Sequence, residues 1–150
     1  MRTLGNIIWH IPFLGFLSAL WAFIIGGLLV ITIIGSPIGL GLIELSKFLL
    51  TPFSMTMIDK SELKTNQNIL WRIFSVIIRI IYFPIGLILA IVTICQIVGL
   101  FVSLVGIPVA LVLAKSLGTY FNPVNKVCVP VEVADEINQR KARKDKVIEE

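Results

Sequence analysis

Charged residues are what this sequence has least of. Only 15% of its 150 residues are charged, and none lies between residues 3 and 43 or between residues 80 and 114. Soluble domains average about 25% charged residues, and a small domain needs them to cover its large surface. With 57% hydrophobic residues, the chain is therefore predicted to face lipid over much of its surface, which excludes a water-soluble globule.

Residue patterns typical of active sites are also missing. His10 is the one histidine, and Cys95 and Cys128 are far apart in the chain with no CxxC spacing. The sequence contains no Ser/His/Asp set, no Gly-rich phosphate loop and no paired-carboxylate motif. Basic and acidic residues balance in the tail, 126–150. We therefore predict no enzyme activity, no cofactor, no metal site and no nucleic-acid partner.

An internal repeat is the strongest signal that the sequence does contain. When the chain is aligned with itself, the segment GSPIG at 35–39 falls on GIPVA at 106–110. The same alignment pairs Gly15 with Gly86, Ala19 with Ala90, Thr32 with Ser103, and Pro52 with Pro123. Self-similarity at a fixed period indicates a duplicated structural unit. Residues paired in this way are called equivalent below.

Each unit has the same three parts. An apolar run of about 22 residues (13–34 and 84–105) is long enough for a membrane helix. A Gly-x-Pro element at 35–37 or 106–108 then ends or kinks it. A shorter apolar segment (38–50 and 109–121) follows, closed by a proline. The predicted fold is an all-α integral membrane protein of two tandem repeats, each a transmembrane helix, a Gly-x-Pro break and a short re-entrant or returning helix.

The predicted boundaries follow from this pattern. Arg72 and Arg79 lie in a segment, 68–81, that is expected to form a separate amphipathic helix ending before Pro84. The predicted parts are a first repeat (1–53), a cytoplasmic connecting loop (54–68), a second repeat with its preceding amphipathic helix (69–124) and a charged cytoplasmic tail (125–150).

Charge placement predicts the topology. If each unit crossed the membrane once, the loop with Lys60 and Lys64 would face outside, against the bias of basic residues towards the cytoplasm. If each unit enters and returns, Arg2, this loop and the tail share one side. We therefore predict a multi-pass protein whose N- and C-termini are cytoplasmic and whose two units are related by an axis along the membrane normal.

Five polar residues in the apolar units are candidates for lining a pore or ligand site. Glu44 and Lys115 are equivalent, and ionisable groups at membrane depth are costly enough to suggest a function. Lys47 is three residues from Glu44, so an ion pair at the cytoplasmic rim is the alternative interpretation. Thr32 and Ser103 precede the two breaks, where each hydroxyl is expected to bond to its own helix.

Small residues and prolines provide two further sets of candidates. Either the helix breaks expose backbone groups to an ion, as in transporters, or they are tight turns that allow close packing. The residues of these breaks are Gly35, Pro37, Gly39, Gly106 and Pro108. A stripe of Ser18, Ala22 and Gly26 on the first helix predicts close helix packing, within the chain or between subunits.

The sequence resembles the YccF family, small bacterial inner-membrane proteins with one or more copies of an inner membrane component domain. The matching residues are Met1-Arg2-Thr3, Asn6-Ile7, Trp9, the segment 35–39, Lys47 and Pro52, followed in the second copy by 105–109 and Pro123-Val124. The resemblance implies two tandem copies, a bacterial inner-membrane location and no assigned enzyme activity.

Two functions remain open from the sequence. The first is an oligomeric channel or permeation protein, in which an aqueous path forms between the subunits of a homo-oligomer. The alternative is a non-catalytic membrane scaffold or accessory subunit that binds other membrane proteins or anionic lipid. The lipid bilayer is a partner in both.

Overall fold

The structure, a computed structural model, describes residues 2–11, 14–63 and 68–149. The chain is mostly helical, as predicted. The predicted start of the first apolar run at Phe13 and the loop residue Lys64 lie outside the described residues.

Residues 2–63 form a short helix, a helical hairpin and a strand. Helix α1 (Arg2–His10) precedes α2 (Gly15–Ile31) and α3 (Ser36–Leu50), which pack against each other. Pro37 lies in the first turn of α3, where its missing N–H costs no helical hydrogen bond. Strand β1 (Met55–Asp59) and a 3₁₀ turn (Lys60–Leu63) follow. We call α2 and α3 the first hairpin.

Residues 69–149 repeat this order with one long helix in place of two shorter ones. Helix α4 (Ile69–Val102) is followed by a short 3₁₀ turn, α5 (Ile107–Phe121), β2 (Lys126–Pro130) and α6 (Val131–Glu149). We call residues 86–102 of α4 together with α5 the second hairpin. The last residues of α2, α3 and β1 are equivalent to those of α4, α5 and β2. The two hairpins therefore have legs of equal length.

The predicted break at Pro84 is wrong. Helix α4 continues through this proline, so no separate amphipathic helix precedes the second unit. Proline removes one backbone donor, but neighbouring helices and local adjustment make this tolerable inside an apolar helix. Arg72 and Arg79 are seven residues apart and therefore lie on the same side of α4.

The two strands were not predicted by the all-α interpretation. Strands β1 and β2 pair antiparallel, and the central pair of their register is Met57 with Cys128. These two residues are themselves equivalent in the repeat. The N–H of Lys60 donates to the Asn125 carbonyl (2.8 Å), and the N–H of Val131 donates to the Ser54 carbonyl (3.1 Å), which extends the ladder at both ends.

The hairpins meet through α3 and α5. The Gly41 backbone on α3 lies against Pro123, beyond the end of α5. In the same way, Lys115 on α5 reaches Pro52, beyond the end of α3. The middle of each helix thus lies beside the far end of the other, so α3 and α5 run antiparallel and their N-terminal turns point away from each other. One buried cluster includes Leu45, Phe48 and Leu49 of α3 together with Val112 of α5.

Helix α4 extends from one hairpin turn to the other. Leu70, Trp71 and Phe74 line a cavity together with Ile33 and Ser36 of the first turn. Gly86, in the middle of α4, lies against the Phe121 carbonyl, and Val102 leads into the second turn. Thirty-four helical residues cover about 51 Å. The two turns therefore lie at opposite ends of the molecule.

Apolar side chains cover the outside of α2 and α4. Among the described residues, α4 is long and apolar enough to cross a membrane, and α1 with α2 passes the same test only as a pair whose axes differ by 78°. The outer residues of both helices are predominantly exposed Ile, Leu, Val and Phe. An apolar surface of this extent is expected in contact with lipid rather than water.

Candidate functional site

Glu44 connects the first hairpin to the second strand. One carboxylate oxygen accepts a hydrogen bond from the Cys128 N–H (3.0 Å), and the other pairs with the Lys47 ammonium. The carboxylate is mostly covered, whereas Lys47 is largely exposed. The rim ion pair weighed from the sequence is thus present. It has an additional role, because the carboxylate also holds β2 against α3.

Lys115 makes the reciprocal contact from the second hairpin. Its ammonium donates to the Pro52 carbonyl (3.2 Å) and lies 5.3 Å from the centre of the Phe53 ring. A cation over an aromatic ring is stabilised by the negative face of the ring. Glu44 and Lys115 thus occupy equivalent positions with opposite roles. Glu44 accepts a hydrogen bond from the Cys128 N–H, and Lys115 donates one to the Pro52 carbonyl. Both side chains cross to the other unit.

A small cavity lies beside Glu44. It has a volume of about 130 Å³ and is lined by residues of α3, the strands and α4, including Leu40, Glu44, Lys60, Trp71 and Lys126. The cavity has one carboxylate and two ammonium groups at its wall, and Pro37 of the first helix break also lines it.

Thr32 and Ser103 are not part of this cluster. The Thr32 hydroxyl donates to the Leu29 carbonyl (2.7 Å) and accepts from the Gly35 N–H (3.2 Å), so it closes the end of α2 as predicted. Ser103 ends α4, and its carbonyl accepts from the Gly106 N–H (2.9 Å). Ser36 and Glu44 are eight residues apart along α3, about 12 Å. The five proposed lining residues therefore do not surround one path in the described chain.

The helix breaks are tight turns that begin a helix. Gly35 and Gly106 immediately precede α3 and α5, and Pro37 and Pro108 lie in the first turns of these helices. Gly39 faces α2, where an added Cβ would come within 2.5 Å of the Gly26 carbonyl oxygen. This arrangement fits the packing interpretation of these residues.

The predicted small-residue stripe packs only in part. Gly26 lies against Gly39 and Ile43, and Ala22 borders the buried core. Ser18 is exposed on the outer side of α2. The close approach within the chain is thus concentrated at Gly26.

The charged segments of the chain come together around the strands. Arg2 of α1 pairs with Glu132 of α6. The Lys126 ammonium lies 3.1 Å from the Asp59 carboxylate. Lys141 of α6 lies 2.8 Å from Glu62 in the connecting segment. We call α1, the two strands with the 3₁₀ turn, and α6 the platform.

Trp9 and Asn6 hold α1 in place, a role that the sequence did not predict. The Trp9 indole is 4% exposed, donates to the Leu49 carbonyl (2.8 Å) and packs against Gly15. The Asn6 side chain accepts from the Phe53 N–H (3.0 Å) and donates to the Ser54 hydroxyl (3.1 Å). Both residues carry part of the family resemblance, but their partners lie far along the chain and leave no local pattern.

A groove on the platform is the second feature without a signal in the sequence. It has a volume of about 620 Å³ and lies between the 3₁₀ turn and α6. Leu63, Val133 and Ile137 give it an apolar floor. Its charged rim is formed by Glu62, Glu136, Arg140 and Lys141.

Cys128 is a protected thiol at the centre of the strand pair. Burial, together with the neighbouring Glu44 carboxylate, raises the pKa of this thiol to about 11. A thiol with such a high pKa is a poor nucleophile near neutral pH, because the thiolate is the reactive form. This environment fits a structural role.

Comparison with known proteins confirms the resemblance seen in the sequence. Residues 4–55 match the family model YccF, inner membrane component domain. These residues comprise nearly all of α1, the first hairpin and the start of β1. No curated protein and no solved structure matches the chain. The match supports a location in the inner membrane. It covers about a third of the chain, where the first unit is similar to the inner membrane component domain, and it does not extend to the second unit.

Proposed function

We propose that this protein is a non-catalytic scaffold of the bacterial inner membrane, whose platform lies at the cytoplasmic surface and binds other proteins. One observation carries the proposal: segments from the start, middle and end of the chain assemble their charges into a single surface beside two apolar hairpins. The groove between the 3₁₀ turn and α6 supports it further, because it joins an apolar floor to a charged rim.

The channel remains the competing function, but the described side chains favour it less. Glu44, Lys47 and Lys115 are engaged with each other or with backbone groups of the other unit. Purified protein in liposomes tests the channel directly. No ion flux above that of empty vesicles is expected, and flux that depends on Glu44 or Lys115 would replace the scaffold with a channel.

Site-specific photo-crosslinking in cells tests the scaffold. A photoreactive residue in place of Val133, which lines the groove, is expected to capture a discrete protein partner. The same residue in place of Asn138, exposed on α6 outside the groove, is the matched control. Capture from both positions alike, or recovery of the chain only with itself, would contradict a partner site in the groove.

The cytoplasmic position of the platform has its own test. Lys60→Cys, in a Cys95→Ser/Cys128→Ser background, is expected to react with an impermeant maleimide only after the cells are opened. Reaction on intact cells would put the platform outside the cytoplasm.

The second unit is proposed to be a second copy of the family domain. The equivalent ends of helices and strands support this, as does the pairing of Met57 with Cys128 at the centre of the register. The bond between Lys60 and Asn125 marks a hydrogen-bonded pair, so the pair three residues further on is non-hydrogen-bonded, with Cα atoms about 4.5 Å apart. That spacing lies within the range of disulfides.

A disulfide therefore reports this register. Met57→Cys is expected to link to Cys128 when membranes are oxidised, which closes a loop detectable as a mobility shift on a non-reducing gel. Met55→Cys, two residues along the same strand, is the control that should not link. The reverse outcome would show a different register and remove the support for a two-fold relation.

A further inference from the structure

We infer that both hairpins insert into the hydrocarbon of one leaflet, on the platform side, and do not cross the membrane. The protein would then widen that leaflet alone and act as a wedge. This inference rests on the proposed function, in which the platform lies at the cytoplasmic surface, and adds the depth of insertion of the hairpins and its consequence for bilayer shape.

The tips of both hairpins are apolar. Ile31 and Ile33 at the first turn are 80% and 83% exposed, and the equivalent Val102 and Leu104 at the second turn are 87% and 86% exposed. No charged residue lies in either turn or in the first two helical turns that follow it. A turn that emerged on the far side would place these side chains in headgroups or water, whereas hydrocarbon accommodates them without cost.

The legs of the hairpins are also short. The first leg of the first hairpin has 17 residues, and its second leg has 15 residues. The legs of the second hairpin, counted from Gly86, match them. Such legs are about 26 and 22 Å long, against a hydrocarbon thickness of about 30 Å. The first leg is at the lower limit of about 17 residues for a membrane-spanning helix, and the second leg is below it.

The direction of the turns rules out upright hairpins. The two turns point away from each other, and the platform lies level with the crossing of α3 and α5, between the turns. If the hairpins stood upright, they would point in opposite directions. Burying both tips would then place the membrane midplane near Asp59, Lys126 and Glu62, where charges are strongly unfavourable. Hairpins lying at a shallow angle bury both tips and keep the platform in water. Helix α4, which joins the turns, then lies along the leaflet.

The arginines of α4 fit this depth. Arg72 and Arg79 are exposed on the same side of the helix, while Ile73, Ile80 and Ile91 occupy its outer, apolar face. A helix at a shallow depth allows both guanidinium groups to reach the phosphate level, because long basic side chains extend to the interface while their stems stay in lipid.

Spin labels at the tips test the depth. Ile33→Cys and Leu104→Cys, each in a Cys95→Ser/Cys128→Ser background, would be labelled and reconstituted in liposomes. Both labels are expected to show high collision rates with oxygen and low rates with a water-soluble nickel complex. Lys60→Cys on the platform is the control, with the opposite ratio. High nickel accessibility at either tip would overturn one-leaflet insertion.

Impermeant maleimide on the same cysteines separates this inference from the proposed function. In intact cells and in inside-out vesicles, Ile33→Cys and Leu104→Cys are expected to remain unlabelled until detergent is added. If the tips are labelled from outside while Lys60→Cys is labelled only from inside, the hairpins cross: the wedge is wrong and the platform stands. If Lys60→Cys is itself labelled from outside, the proposed platform fails first.

The shape of the bilayer provides an independent readout. Area added to one leaflet curves the membrane, so liposomes reconstituted with the protein in one orientation are expected to have smaller diameters in electron micrographs than protein-free liposomes. Equal diameters at high protein density would show that the hairpins do not act as a wedge.

Discussion

The first and second hairpins share their element ends but differ in how they are packed. In the first, Gly26 and Gly39 let α2 and α3 touch through their backbones. The equivalent residues of the second are Ile97 and Ala110, so its legs carry side chains where the first hairpin has none. The first hairpin is preceded by a separate short helix and the second by an uninterrupted continuation of its own leg. The same order and length of helices is therefore compatible with two ways of packing the legs of a hairpin. Substitutions at equivalent positions distinguish the two.

The largest effect is expected at Gly41, whose equivalent in the second unit is Val112. A Cβ at Gly41 would overlap the Pro123 carbonyl oxygen, so Gly41→Ala must move the backbone that joins the two units. Overpacking of a close contact costs about 3 kcal/mol at its upper range. Thermal unfolding in detergent measures the loss. Gly27→Ala, where nothing lies within 4 Å, is the control and should lose nothing.

A smaller loss is expected within the first hairpin. Gly39→Ala places a Cβ 2.5 Å from the Gly26 carbonyl oxygen and 2.8 Å from the Val30 nitrogen. The strain of about 2 kcal/mol is offset in part by the better helix propensity of alanine, up to about 1 kcal/mol. The equivalent exchange in the second hairpin, Ala110→Gly, creates no overlap, but it removes a buried methyl group and lowers the helix propensity, at a cost of about 1 kcal/mol each. Thermal unfolding is therefore expected to show a loss for both variants, and a gain in stability on Gly39→Ala would contradict the close backbone contact in the first hairpin.

The sequence predicted the hairpins better than their assembly. The ends of α3 and α5 were placed correctly at residues 50 and 121, because the apolar runs stop there and a proline follows. Strand β1 was predicted as part of a connecting loop. Its partner strand lies in the other unit, and no local pattern reveals the pairing.

The crossing of the hairpins could not be predicted. It depends on Gly41 meeting Pro123 and on Glu44 meeting the Cys128 N–H, contacts that only the folded chain creates. Among the candidate site residues, the pair Glu44 and Lys47 could be predicted from helical spacing. The equivalence of Lys115 to Glu44 made it a candidate for lining a site, but the sequence did not predict that Lys115 reaches the first unit.

The two hairpins begin with different backbone conformations. Substitution by glycine at the equivalent starting positions is therefore expected to change stability in opposite directions. Leu14, just before α2, has a left-handed backbone with φ of 50°. Such a conformation costs a non-glycine residue about 1–2 kcal/mol, so Leu14→Gly is expected to stabilise the protein by about 1 kcal/mol. The equivalent Ile85 lies inside α4, where Ile85→Gly should destabilise by a similar amount. Changes of the same sign in thermal unfolding would show that both hairpins begin alike.

The smallest effect on stability is expected for substitutions of Glu44 and Lys115, which each contact the other unit. For these variants the rate of Cys128 alkylation is a more sensitive measurement than unfolding. The pKa of Cys128 is about 11 because of burial and the Glu44 carboxylate. Glu44→Gln removes the charge, lowers that pKa and should speed alkylation of Cys128 several-fold at pH 8, since one pKa unit changes the thiolate fraction about tenfold. The matched substitution Lys115→Gln should leave the rate unchanged. Cys95→Ser removes the competing thiol from both.

The same thiol gives a pH dependence of defined sign. The folded pKa of Cys128 lies above the ordinary value of 9.0, so the unfolded chain loses this proton first as the pH rises. The contribution of the neutral thiol to stability is therefore complete below pH 9 and falls between pH 9 and about 11. Glu44→Gln should narrow this pH range, because it lowers the folded pKa of Cys128 that sets the upper end. Lys115→Gln should leave the range unchanged. If the two variants shift the window equally, the carboxylate is not what distinguishes the first unit from the second at this contact.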